Sequence, residues 1–82
     1  MREHWPELER LLRQVAAGIA GSVTPQNQSG LLDSIENREF GLAYEHIGWL
    51  IENEGLRLET AQAADLVRAG YLMGLAPPAF SN

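Results

Sequence analysis

The chain is 82 residues long, 45% hydrophobic and 21% charged, with 11 carboxylates against 6 arginines and a formal net charge of −5. It has no cysteine and no lysine, which excludes a disulfide staple, a thiolate metal site and a cysteine nucleophile. The acidity, with no basic patch, sets the chain against phosphate backbones, and no segment approaches the roughly 20 apolar residues that cross a bilayer.

A chain this short buries only about two-thirds of its extended surface, so one domain spanning 1–82 with a thin core is expected, held by packing alone. The first residues, MREHWPELERLLRQ, lack the apolar run of a signal peptide, which makes the cytoplasm the expected compartment.

The first helix is predicted over 6–20. Pro6 suits an opening turn, Glu7 and Glu9 complement its positive end, and Leu8, Leu11, Leu12, Val15 and Ile19 form an apolar stripe. Trp5, just before it, is expected to fold back onto Leu8 or Glu9 as a hydrophobic staple, and Gly21 is the candidate terminator.

Thr24-Pro25 gives a second start signal, a capping hydroxyl followed by a first-turn proline. The stripe of this helix, predicted over 25–37, is Gln28, Leu31, Leu32 and Ile35. Gly30 in its midst costs about 1 kcal/mol relative to alanine, so a start as late as Ser29 is also open.

The third helix, over 40–54, carries the strongest pattern. Phe40, Ala43, Tyr44, Ile47, Leu50 and Ile51 recur at the steps of an amphipathic helix, and Gly55 closes it. The short link before it makes helices two and three an antiparallel hairpin. Leu56 and Leu58 in the following connector can both point at the core.

A fourth helix over 60–74 is capped by Glu59 or Thr60, with a face of Ala63, Leu66, Val67, Gly70, Tyr71 and Gly74. Ala76-Pro77-Pro78 ends it, and 76–82 reads as a flexible C-terminal tail. The fold class expected is therefore all-α, a small four-helix antiparallel bundle.

No arrangement of residues argues for an enzyme, a cofactor or a metal. His4 and His46 form no ligand spacing, and His46 reads as a solvated helix residue. The serines sit in no nucleophile elbow, and the glycines make no phosphate cradle.

The charge distribution is more informative. Residues 31–65 hold Asp33, Glu36, Glu39, Glu45, Glu52, Glu54, Glu59 and Asp65 against only Arg38 and Arg57. Glu52 and Glu54 lie at the carbonyl end of helix three, where an exposed carboxylate costs about 0.3 to 1 kcal/mol, so helix stability does not select them. Such a surface speeds encounter with a basic partner.

Trp49 shares its side of helix three with Glu45 and Glu52. Either helix one or the Leu56 connector covers its indole, or it is an aromatic anchor ringed by acid. The expected partner-binding residues are Asp33, Glu36, Glu39, Glu45, Trp49 and Glu52.

From about Leu31 to Leu75 the sequence resembles the MafI-type immunity family, small bacterial proteins encoded beside secreted polymorphic toxins. LLDSIENREFGLAYEHIGWLIENEGLRLE and the closing Tyr71-Leu72-Met73-Gly74-Leu75 carry the likeness. Asn37-Arg38-Glu39 stands where the family prefers a glycine before the acid. The resemblance implies an antitoxin that binds and neutralises a cognate, basic toxin such as a nuclease. The alternative is a small acidic interaction or oligomerisation module, a homodimer through Trp49 with Leu42 or through the small-residue face of helix four.

Overall fold

A computed structural model describes residues 2–75. Four helices follow one another: α1 (Trp5–Ile19), α2 (Pro25–Glu36), α3 (Phe40–Glu54) and α4 (Thr60–Met73). This is the small all-α four-helix bundle expected from the periodicity. The predicted tail, 76–82, lies outside the described residues.

The direction of packing follows from which residues meet. Glu7 near the start of α1 reaches Arg68 near the end of α4, and Gly18 near the end of α1 lies against Gln62 near the start of α4. These two helices are therefore antiparallel. Along α1 and α2, Arg13 meets Glu36 while the Ala16 carbonyl meets Gln28, again antiparallel. In the hairpin of α2 and α3, His46 lies across from Asn27 and Gly30.

One continuous core fills the centre. Leu12, Val15 and Ile19 of α1, Leu31 and Ile35 of α2, Ile47 and Leu50 of α3 and Leu66 of α4 are fully buried. Each large side chain buried this way contributes about 1.5 to 3 kcal/mol over the exposed state. The whole predicted stripe of α3 is in the core, and Leu56 joins it from the connector, with Leu58 packed at its edge.

The helix ends show how the turns are made. Thr24 caps α2, its hydroxyl accepting from the Asn27 N–H at 3.1 Å, and the helix runs through Gly30 without a break. Arg38 closes α2 in the left-handed region at φ 58°. Its N–H bonds the Ile35 carbonyl and the next N–H, from Glu39, bonds Ser34 at 2.8 Å, a closure that usually takes glycine. Gly55 and Gly74 end α3 and α4 at positive φ, and the α4 start is a capping box, with Gln62 Oε1 accepting from the Glu59 N–H at 2.9 Å.

Four expectations are corrected. Trp5 is the first residue of α1 and not the residue before its cap, so it cannot act as a staple; it meets Phe40 edge to face at 5.9 Å, with the Arg38 guanidinium 6.0 Å from its ring. Gly21 does not terminate α1: the helix ends at Ile19 and tightens into a 3-10 turn, Ala20–Ser22, before extended residues lead to Pro25. That exit is imposed by the proline, which holds the residue before it extended. α4 ends at the Gly74 turn, ahead of the prolines.

The fourth correction concerns the face of α4. Leu66, Ala69 and Gly70 turn inward, with Met73 packed beside them, while Val67 and Tyr71 face out. α4 is apolar on most sides, so periodicity alone does not choose a face. Gly70 suits the inward side of either stripe, since a β-carbon there would stand 2.5 Å from the Tyr44 hydroxyl oxygen; only glycine leaves room for that ring.

Candidate functional site

Burial of the α3 stripe leaves the opposite side of the helix to solvent. Leu42 and Trp49, seven residues and two turns apart, are 54% and 49% exposed. Glu45 and Glu52, four before and three after Trp49, are exposed on its flank. The indole is therefore half exposed and not a core side chain, and Trp49 is absent from the core cluster. Its backbone carbonyl accepts from Asn53 Nδ2 at 3.1 Å, which ties Asn53 down beside it.

The six expected residues do not form one uniform patch. Glu45, Trp49 and Glu52 share one stripe of α3. Asp33 is exposed on α2, and Glu39 is exposed at the turn where α3 begins, its carbonyl accepting the Ala43 N–H. Glu36 turns toward α1, where its Oε1 meets Arg13 Nη2 at 3.1 Å. Arg13 also receives Glu9 at 2.9 Å, and the two carboxylates raise its already high pKa. Glu36 is thus partly neutralised within the chain, whereas Asp33, Glu39, Glu45 and Glu52 have no ion-pair partner among the described residues.

His46 was expected on the solvated flank and is instead half-buried between α2 and α3. Its Nε2 lies 3.1 Å from Asn27 Oδ1. Gly30, a weak point by helix propensity, gives this imidazole its space: a β-carbon there would stand 3.5 Å from the ring. The signal in the sequence was the glycine within an otherwise apolar-periodic helix, a mark of close packing.

A second exposed apolar strip lies on α4, where Val67 is 40% and Tyr71 73% exposed. The Arg68 guanidinium stands 5.7 Å from the Tyr71 ring and reaches Glu7 at 3.5 Å. An open groove of about 540 Å³ is lined by Ala63, Ala64, Val67, Arg68 and Tyr71.

Among the described residues no three histidines or carboxylates stand together in a way that could hold a metal, and no helix is long and apolar enough to cross a membrane. Comparison with known proteins gives no match: no family model, no curated protein and no solved structure aligns with the chain.

Proposed function

We propose that the chain is an immunity protein, one that binds and neutralises a cognate basic bacterial toxin through the outer face of α3 and the adjoining carboxylates of α2. The observation that carries the reading is the half-exposed Trp49 with Leu42 on one stripe, flanked by Glu45 and Glu52. Exposed aromatic residues at the centre of a patch are the typical anchors of protein interfaces. Unneutralised carboxylates around one select a partner with arginines or lysines at its rim.

The resemblance to the MafI-type immunity family supplies the biological context, a toxin encoded beside the chain. In this reading Glu45, Trp49 and Glu52 make the central contacts, Asp33 and Glu39 supply long-range attraction, and Glu36 contributes less because Arg13 competes for it. A nuclease is a suitable partner, since carboxylates can occupy the positions its basic groove keeps for phosphates.

Co-expression with the adjacent toxin gene tests the proposal. The native chain should restore growth of the host. Trp49→Ala and the charge reversal of Glu45 and Glu52 to lysine should abolish protection while the variants remain helical and folded. Full protection by both variants would contradict the assignment of this face.

A further inference from the structure

We infer that the cation selected by the outer face of α3 is an arginine, whose guanidinium lies on the Trp49 indole and is held there by Glu45 and Glu52. The inference deepens the binding role proposed above and rests on it for the partner, while the preference for arginine over lysine belongs to this chain alone.

The two acids stand on one side of the ring. At about 100° per residue, Glu45 and Glu52 fall about 40° and 60° to the same side of Trp49, one turn before it and one turn after. Their Cα atoms are about 10 Å apart along the helix axis, with Trp49 between them, so both side chains can lean inward to one cation on the indole. His46 and Asn53 fall on the other side, and both are engaged: His46 with Asn27, Asn53 with the Trp49 carbonyl. One flank of the ring is anionic and the other carries no carboxylate.

Two other rings of this chain already hold a guanidinium. Arg38 stands 6.0 Å from the Trp5 ring and Arg68 5.7 Å from that of Tyr71. Among the described residues Trp49 has no such cation, although it is the ring with two unpaired carboxylates beside it. Tryptophan is the aromatic side chain that attracts a cation most strongly. A guanidinium is planar, stacks on an aromatic face and offers five N–H donors, enough to serve two carboxylates from above the ring. The lysine ammonium is a compact, strongly hydrated charge and gives up more water to lie there. A second copy of this chain is disfavoured as the occupant, since it would bring a further net charge of −5 to the same carboxylates.

Two blocked tripeptides, acetyl-Gly-Arg-Gly-amide and its lysine counterpart, test this on the full chain by NMR titration at constant ionic strength. The reporter is the Trp49 indole N–H resonance, assigned by its loss in Trp49→Phe, and Trp5, already under Arg38, is the internal control. The arginine peptide should shift Trp49 more than Trp5 and bind about two- to fivefold more tightly than the lysine peptide, the ratio that an exposed cation–π contact supports. In the Glu45→Gln, Glu52→Gln double variant, arginine binding should weaken at least about twofold. Equal binding of the two peptides, equal shifts of the two tryptophans, or arginine binding unchanged in the double variant overturns the inference. Peptides bound alike by a chain that still protects against the toxin would strike the inference and leave the toxin reading standing. An arginine preference in a chain that gives no protection would support the inference and strike the toxin reading.

Discussion

At the scale of single residues, the two helix-packing glycines make different predictions, because what a β-carbon would meet differs. Gly70 faces the Tyr44 ring, which is 5% exposed and has no open side to move into. Gly70→Ala gains about 1 kcal/mol of helix propensity but overpacks the core at a cost of about 1 to 3 kcal/mol, so urea unfolding should show a net loss. At Gly18 the obstacle is the terminal amide of Gln62, the far end of a flexible side chain. Gly18→Ala should be close to neutral, the propensity gain of about 1 kcal/mol offsetting a disturbed capping bond worth about 0.5 to 1.5 kcal/mol.

Tyr44 also gives a pH dependence with a defined sign. Burial raises its pKa above the ordinary value of 10.0 because the charged phenolate would lose its hydration. A group whose folded pKa is raised contributes stability that is fully present below its unfolded pKa. That contribution is lost as pH rises from about 10 through the folded value. Stability should therefore fall above pH about 10 in the native chain and in Tyr71→Phe, and fall less steeply in Tyr44→Phe, as followed by circular dichroism during urea titration.

At the scale of elements, helix positions were legible because amphipathic stripes and caps agree. The third helix matches its predicted span of 40–54, and Thr24 caps α2 as its sequence context implies. The sequence was less informative where an element is apolar on several sides. α4 offered two stripes sharing Leu66 and Gly70, and only its packing against α1 and α3 decides between Ala69 with Met73 and Val67 with Tyr71. His46 was misplaced for a related reason: the side of α3 that meets α2 depends on how the hairpin is wound, which Gly30 and Asn27 reveal only once they stand opposite the ring. Trp49 stayed open between two readings, since an amphipathic pattern identifies the buried stripe but not the height of its neighbours.

Glycines at helix ends extend this to stability. Gly55 has φ 68°, a conformation that costs an alanine about 1 kcal/mol or more. Gly21 lies in a 3-10 turn without positive φ, and a β-carbon there would meet nothing within 4 Å. Thermal unfolding should thus show Gly55→Ala destabilised, and Gly21→Ala stabilised by about 0.4 to 1 kcal/mol through a less flexible unfolded chain.

At the scale of the whole molecule, fold and proposed function occupy opposite sides of the same helix. The buried side of α3 carries Phe40, Tyr44, Ile47 and Leu50, while Leu42, Glu45, Trp49 and Glu52 face solvent and hold nothing in the core together. Trp49→Ala should therefore cost at most about 1 kcal/mol of folding stability, against about 3 to 5 kcal/mol for a core tryptophan. Three of the six arginines are engaged elsewhere: Arg10, Arg13 and Arg68 pair with Glu7, Glu9 and Glu36 around α1, while Arg38 and Arg57 flank α3 without an ion pair to its carboxylates. This leaves the carboxylates of α3 unneutralised and gives the chain an uneven field, able to steer a basic partner toward that face.

The central claim is that this field guides recognition through Glu45 and Glu52. Its most direct test is the association rate of the purified chain with the basic toxin proposed as its partner, measured by stopped flow as ionic strength rises from about 20 to about 500 mM. The account predicts a steep fall in rate for the native chain and a shallower one for the Glu45→Gln, Glu52→Gln double variant. A rate that does not change with salt, or an identical slope for the two proteins, would contradict it.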